Sequence, residues 1–286
     1  MKNLFSVFTR LVRIRLSLMV TFSALTGYFL TGSHPDIALL YLFFGLFLLS
    51  SGASVLNQVQ ESHQDALMKR TALRPIPSGE ISMLSATLIS FLLIGGGAWL
   101  LRFNGPVPMI LGLLNILFYN IIYTPLKTRS WLAILPGAIV GGVPPLIGWT
   151  SAGLDVFHPN AIFLFVFVFL WQVPHFWLLM IKYGKEYEKA GFSSISKFLN
   201  ENQIKIVVFC WGVVTSIFLM LFPFFGFNLK PLLIGILVIT NLLFIRYFYR
   251  FLFRDRNTQN IRNAFILINS YALAVFVLLI VNAMIS

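Results

Sequence analysis

The chain has 286 residues, of which 58% are hydrophobic and 10% are charged, and its mean hydropathy is +0.86. These values exclude an ordinary soluble globular domain and predict an integral membrane protein. The net charge of +12 alone would suit a nucleic-acid-binding protein, but the basic residues follow the pattern of membrane topology, so we predict no nucleic-acid partner.

Nine apolar segments are each about long enough to cross a hydrocarbon core of about 30 Å. They leave no stretch of sequence for a soluble domain. We therefore predict an all-α, polytopic membrane protein with nine transmembrane helices, forming a single domain over residues 1–286. The predicted spans are residues 16–32, 37–56, 81–101, 107–123, 131–149, 161–181, 206–225, 231–248 and 265–284.

The basic residues divide unevenly between the two sides of this predicted bundle. With the N-terminus in the cytoplasm, 19 of the 21 Lys and Arg residues fall inside, and only Arg102 and Lys230 fall outside. The positive-inside rule then predicts a cytoplasmic N-terminus and an external C-terminus. We expect the membrane to be a bacterial cytoplasmic (inner) membrane. Because the outer loops are short and carry few ionisable groups, we expect the chemistry on the cytoplasmic side.

A motif of acidic and basic residues follows the second predicted span. Asn57, Glu61 and Asp65 recur every four residues, so on a helix they share one face and rise about 6 Å per step. Oxygen ligands on one stripe suit a hard cation such as Mg²⁺. Arg70 and Arg74 come next and supply the positive groups that a cation-bound oligophosphate needs. The combination predicts a diphosphate substrate.

The alternative interpretation of this motif is a solvated helix face, salt-bridged to Lys69 and Arg70. The position of Asn57 at the membrane boundary and the unbroken four-residue spacing favour the ligand role. Lys127 ends the fourth span on the same side and is a candidate second phosphate ligand. Tyr123, just before it, is either an ordinary interfacial aromatic residue or a ring that steadies a carbocation.

The end of the sixth predicted span carries a second group of candidate substrate-binding residues. His175 follows Pro174, where we expect a break in the helix, and lies near Gln172. A membrane histidine is often a hydrogen-bonded packing group, so a substrate role and a packing role both stay open for His175. The polar residues that follow as further candidates are Lys182, Tyr183, Glu186 and Tyr187.

Three stretches of the chain resemble the UbiA-type intramembrane prenyltransferases, and among these the haem O synthases (protohaem IX farnesyltransferases). The first stretch is the Asn57 motif followed by Met-Lys-Arg-Thr-Ala-Leu-Arg-Pro at residues 68–75. The second is Tyr123-Thr124 with Lys127, followed by Gly-Gly-Val-Pro-Pro-Leu-Ile-Gly-Trp at residues 141–149. The third, Trp-Gln-Val-Pro-His-Phe-Trp at residues 171–177, separates haem O synthases from quinone-type relatives.

The chain departs from that family's pattern at two places. Glu61 stands where the family has Asp, which keeps the charge and lengthens the ligand arm. After the sixth span, the family's paired Asp is reduced to Lys185-Glu186, and its Pro-Met-Leu-Pro becomes Ser-Ser-Ile-Ser at residues 193–196. A second cation site is therefore left open.

The resemblance implies a UbiA-like helical bundle that transfers a farnesyl group from farnesyl diphosphate to a vinyl group of haem B, giving haem O for haem-copper oxidases. It also implies Mg²⁺ as cofactor, membrane lipid as surroundings, and a downstream haem-modifying enzyme as a partner. The residues that would bind Mg²⁺ and neutralise the departing diphosphate are Asn57, Glu61, Asp65, Arg70, Arg74 and Lys127.

Two rival functions stay open from the sequence. One is UbiA-type prenyl transfer to an aromatic acid, a quinone precursor or a lipid alcohol, although the Gln-x-Pro-His setting of His175 argues against it. The other is secondary transport, because broken helices and intramembrane polar groups also mark transport sites. Transport sites lie near the membrane midplane, whereas these polar groups gather at one interface.

Overall fold

A computed structural model of the protein describes residues 4–227, 229–254 and 259–285, and all regular structure in these ranges is helical. Eight of the described helical segments are long and apolar enough to cross a membrane, and the shorter apolar helix Ile14–Phe29 is a ninth candidate. The predicted all-α polytopic fold is confirmed. The helices are α1 (Leu4–Leu11), α2 (Ile14–Phe29), α3 (Ile37–Gln60), α4 (Ser62–Leu67), α5 (Met83–Arg102), α6 (Pro106–Leu117), α7 (Thr124–Arg129), α8 (Ile134–Ser151), α9 (Pro159–Lys189), α10 (Glu201–Met220), α11 (Pro231–Tyr249) and α12 (Gln259–Ile285).

Several helix boundaries differ from those predicted. Helix α10 begins at Glu201 and not at residue 206, because the Asn200 side chain accepts from the Gln203 N–H in a capping box. Helix α9 has 31 residues and runs through Pro174 without the expected break, so it carries its C-terminal polar residues beyond the apolar segment. Helix α2 has only 16 residues, about 24 Å at 1.5 Å per residue.

The backbones of α2 and α8 approach closely because glycines lie at their crossing. A Cβ atom added to Gly148 would lie 1.7 Å from the Ala24 carbonyl oxygen, and one added to Gly27 would lie 2.0 Å from the Pro145 carbonyl oxygen. Membrane helices associate largely through such close packing of small residues. This contact fixes α2 against α8, and both helices line the cavity described below.

We expect Gly148→Ala to destabilise the protein, because the added methyl group forces α2 away from α8. Overpacking of this kind costs about 1–3 kcal/mol, which should lower the apparent melting temperature in detergent by roughly 5 °C. Gly95→Ala in α5 is the matched control, since its methyl group meets no atom within 4 Å. Equal melting temperatures for the two variants would contradict this packing.

The buried apolar residues form two main clusters. One cluster contains residues of α8, α9, α10, α11 and α12, around Phe163, Phe167 and Phe248. The other contains residues of α2, α3, α5 and α8, around Tyr28 and Leu49. Between the clusters lies a cavity, to which α2, α3, α6, α8, α9 and α12 all contribute side chains. The fold therefore surrounds one internal space with helices from both halves of the chain.

Candidate active site

The cavity has a volume of about 810 Å³. Much of its lining is apolar, and includes Leu46, Leu49, Ile147 and Phe276. Its charged lining residues lie near the C-terminal end of α3 and in the segments that pack there. A mostly apolar cavity of this size with a few polar groups is typical of small-molecule sites.

The predicted stripe of Asn57, Glu61 and Asp65 lines this cavity, and all three residues are at most 7% exposed. They do not lie on one continuous helix, because α3 ends at Gln60 and α4 begins at Ser62. Helical hydrogen bonds nevertheless continue across the junction, from Glu61 N–H to Asn57 O (2.9 Å) and from Asp65 N–H to Glu61 O (2.7 Å). These bonds keep the three side chains on one face.

Each carboxylate of the stripe is paired with a cation that the sequence predicted as a phosphate ligand. Arg74 Nη1 donates to Asp65 Oδ2 at 2.5 Å, and Lys127 Nζ pairs with Glu61 Oε1. Burial lowers the pKa of Arg74, nearby Arg13 lowers it further, and Asp65 raises it. An additional anion near Arg74 would therefore be stabilised.

Two oxygens of the stripe are suited to a metal ion. Asn57 Nδ2 donates to Thr124 Oγ1 at 3.0 Å, which leaves Asn57 Oδ1 buried without a hydrogen-bond partner. Asp65 Oδ1 is likewise buried without one. A buried polar atom without a partner costs about 1–3 kcal/mol, and a bound hard cation would remove that cost. In the described ranges no three His, Cys, Asp or Glu residues form a metal-binding group, so the candidate ligands are two carboxylates and one amide.

Arg70 is exposed at the cavity and is held by two aromatic residues of α9. Its Nη2 donates to the Tyr187 hydroxyl at 3.1 Å, and its guanidinium lies 5.2 Å from the centre of the Tyr183 ring. Tyr187 lines the cavity, whereas Tyr183, Lys182 and Glu186 do not. The structure therefore brings Tyr187 into the site, connects Tyr183 to it only through Arg70, and leaves Lys182 and Glu186 outside the lining.

A row of aromatic rings extends from Lys127 along the cavity. Lys127 Nζ lies 4.7 Å from the centre of the Tyr123 ring, Tyr119 stacks on Tyr123 at 5.6 Å, and Tyr123 lies 6.3 Å from Phe176. Tyr119 and Tyr123 belong to the π-helical turn Phe118–Tyr123 between α6 and α7. Such turns often mark functional sites, since they change the direction of side chains within a helix.

His175 lines the cavity together with Gln172. Its ring lies 5.0 Å from Trp171 and 4.8 Å from Phe265 of α12, and its Nδ1 atom is buried without a hydrogen-bond partner. A Cβ atom at Gly141 would lie 2.0 Å from Gln172 Nε2, so this glycine makes room for the amide. The imidazole therefore has a free nitrogen in an aromatic part of the cavity.

Arg13 is a cavity residue that the sequence did not reveal. It lies between α1 and α2 with φ +48°, the one positive φ among the described non-glycine residues, and its Nε atom is buried without a hydrogen-bond partner. In the sequence an arginine beside a membrane span looks like an ordinary topology signal. With Arg70, Arg74 and Lys127 it makes four cationic side chains in the cavity lining, against two carboxylates.

Comparison with known proteins gives a consistent picture of relatives. The UbiA prenyltransferase family matches residues 20–281. A protoheme IX farnesyltransferase of Geobacter sulfurreducens is 38% identical over 216 residues, which cover 76% of this chain and 80% of that protein. A protoheme IX farnesyltransferase of Christiangramia forsetii is 32% identical over 265 residues, covering 90% of this chain and 86% of that protein.

A solved structure of similar fold is a UbiA homolog from Archaeoglobus fulgidus bound to GPP and Mg²⁺. It superimposes with a TM-score of 0.74 at 14% sequence identity, and covers 97% of this chain and 98% of that one. At this identity the likeness concerns the fold.

Proposed function

Because this chain belongs to the UbiA prenyltransferase family, we infer that it transfers a farnesyl group from farnesyl diphosphate to a vinyl group of protohaem IX (haem B), giving haem O. One structural observation supports this function at the level of the site. Two carboxylates, each paired with a cation, lie beside two further arginines at one end of an apolar cavity. That arrangement suits a ligand with a multiply charged head and a long apolar tail.

The cationic residues bind and stabilise the departing diphosphate. Arg74 and Lys127 are preoriented by Asp65 and Glu61, so little reorganisation is needed when negative charge develops on the leaving group. Arg13 and Arg70 line the same cavity and add charge-assisted hydrogen bonds. A Mg²⁺ ion held by the oxygens of the stripe would supply further neutralisation of that charge, and the GPP and Mg²⁺ of the solved homolog support this cofactor.

The apolar lining and the aromatic row serve the transferred group. When the carbon–oxygen bond to diphosphate breaks, the rings of Tyr119, Tyr123 and Phe176 present π faces that favour the allylic cation. The vinyl π electrons of haem B then form the new carbon–carbon bond, and one water adds to the resulting cation with loss of a proton. We propose that His175 and Gln172 bind the haem substrate, with the free His175 nitrogen as a candidate ligand to its iron.

The acceptor is tested by product analysis with competing acceptors. Purified protein is incubated with farnesyl diphosphate, Mg²⁺ and either haem B or an aromatic acid, and the products are weighed by mass spectrometry. We expect haem B to gain one farnesyl group and one hydroxyl group, and the acid to stay unmodified. Prenylation of the acid and not of haem B would contradict the proposed acceptor.

We further propose that residues 1–286 form one domain in a bacterial cytoplasmic membrane, with the site on the cytoplasmic side and the C-terminus outside. Support comes from the distribution of 19 of 21 basic residues on one side. The farnesylated haem is strongly apolar, so we propose that a membrane-bound haem-modifying enzyme receives it directly.

This orientation predicts the labelling of introduced cysteines. In a Cys210→Ser background, Ala66→Cys and Lys197→Cys, both at exposed positions, should resist an impermeant thiol reagent in intact cells and react in inverted vesicles. Leu154→Cys, exposed in the loop between α8 and α9, should show the opposite pattern. Labelling of Ala66→Cys from outside intact cells would overturn the orientation.

A further inference from the structure

Helix α1 is attached to the loop that carries Arg70 and Arg74. Arg10 Nη1 donates to the Leu73 carbonyl oxygen at 2.9 Å, and Arg10 Nη2 pairs with Glu80 Oε2 at 2.5 Å. Leu73 immediately precedes Arg74. Arg10 therefore contacts the peptide group that links Leu73 to Arg74.

The loop itself is ordered by its own hydrogen bonds. The Arg74 N–H donates to the Thr71 carbonyl oxygen at 2.9 Å, and the Glu80 N–H donates to the Pro75 carbonyl oxygen at 2.9 Å. Thr71 Oγ1 also donates to the Asp65 carbonyl oxygen at 2.9 Å. The loop is thus a compact unit, and its orientation towards the cavity depends on what holds it from outside.

The C-terminal end of α1 is fixed in turn to α3. Gln58 Nε2 donates to the Leu11 carbonyl oxygen at 2.5 Å, and this bond is buried. Leu11 and Val12 pack in one buried cluster with Val55 of α3 and Ile76 of the loop. Helix α1 is therefore a fixed support for the loop.

We propose that Arg10 is a positioning residue for diphosphate binding and that it acts through Arg74. Arg10 does not line the cavity, so it is not itself a ligand. The ion pair with Asp65 orients the Arg74 guanidinium, while the Arg10 contact to Leu73 holds the backbone from which Arg74 projects. Catalytic groups lose about a hundredfold in rate when misplaced by about 1 Å, so this backbone contact affects turnover. The proposal rests on the proposed function of the site.

A double-mutant cycle tests the proposal in the full-length protein. Arg10→Ala, Arg74→Ala and the double variant are compared for turnover with farnesyl diphosphate and haem B, and for displacement of a labelled farnesyl diphosphate analogue by inorganic pyrophosphate with Mg²⁺. We expect Arg10→Ala to lower kcat/KM for farnesyl diphosphate and pyrophosphate affinity by about tenfold or more, with KM for haem B unchanged. The double variant should be no worse than Arg74→Ala alone, because both changes act on one group.

Further variants make each outcome decisive. Arg10→Lys keeps the charge but cannot contact Leu73 and Glu80 at once as the guanidinium does, so it should give an intermediate loss of kcat/KM. Thr9→Ala removes only a hydrogen bond to Ser6 within α1 and should match the wild type. Two results would overturn the proposal. One is the same kcat/KM and pyrophosphate affinity in Arg10→Ala as in Thr9→Ala. The other is a loss in the double variant equal to the product of the two single losses. If Arg10→Ala does not fold, the same measurements are made on Arg10→Lys and Glu80→Gln. Equal losses of kcat/KM for farnesyl diphosphate and for haem B in these variants would overturn the proposal. Failure of the wild type to modify haem B counts against the proposed function alone, since pyrophosphate binding still tests Arg10.

Discussion

Replacement of Asp65 by Ala is expected to reduce farnesyl transfer by at least about a thousandfold, because it removes one of the two stripe carboxylates and the partner that orients Arg74. Asp65 is buried, so its loss also leaves the cation of Arg74 in the site without its ion-pair partner. The measurement is the rate of haem O formation in proteoliposomes at saturating Mg²⁺.

Two variants separate this effect from damage to the fold. Asp65→Asn keeps the size and a hydrogen-bond acceptor and should be almost as inactive, whereas Asp155→Ala, an exposed carboxylate in the loop between α8 and α9, should be fully active. Glu61→Asp should keep most of the turnover, because it restores the aspartate that the UbiA-type pattern has at this position. Undiminished turnover in Asp65→Asn would refute the role of the stripe.

Replacement of His175 by Ala is expected to weaken haem B binding by about tenfold or more, equivalent to about 1.4 kcal/mol, while farnesyl diphosphate binding stays nearly unchanged. The reason is that His175 lines the cavity and its Nδ1 atom is buried without a hydrogen-bond partner, a partner that the bound haem would supply. Two titrations measure the effect, one following the haem Soret band and the other the displacement of a labelled diphosphate analogue.

His175→Phe distinguishes iron binding from packing. It keeps an aromatic ring beside Trp171 and Phe265 but removes both nitrogens, so we expect the same loss of haem affinity as in His175→Ala. Exposed His34 provides the control, and His34→Ala should bind haem B as the wild type does. An unchanged haem titration in His175→Phe would show that His175 serves only packing.

The general fold and the centre of the site were predictable because they depend on local patterns. Hydropathy located the spans, and the four-residue spacing placed Asn57, Glu61 and Asp65 on one face, which hydrogen bonds preserve even though α3 ends at Gln60. The ion pair between Glu61 and Lys127 joins residues far apart in sequence. The sequence predicted only that Lys127 lies on the same side of the bundle as the acidic motif.

Features that depend on tertiary contacts or on unusual backbone were not predictable. Arg13 lines the cavity and has a φ of +48°, a backbone conformation that no sequence signal predicts for an arginine. The π-helical turn that contains Tyr119 and Tyr123 also contains Asn120, which exchanges a reciprocal pair of hydrogen bonds with Gln60 of α3. At the end of α9, proximity in sequence wrongly grouped Lys182, Tyr183 and Glu186 with Tyr187 as candidate site residues. Neighbouring residues of a helix point in different directions around its axis, and of these four only Tyr187 lines the cavity.

In the proposed mechanism, Asn57, Glu61 and Asp65 hold the cation that accompanies the diphosphate. The most direct test is anomalous diffraction from crystals of the protein grown with Mn²⁺ and a non-hydrolysable farnesyl diphosphate analogue. We expect a manganese peak bounded by Asn57 Oδ1 and the two carboxylates, with the diphosphate between that peak and Arg74. A peak only beside Glu186, or a diphosphate bound away from the stripe, would contradict it.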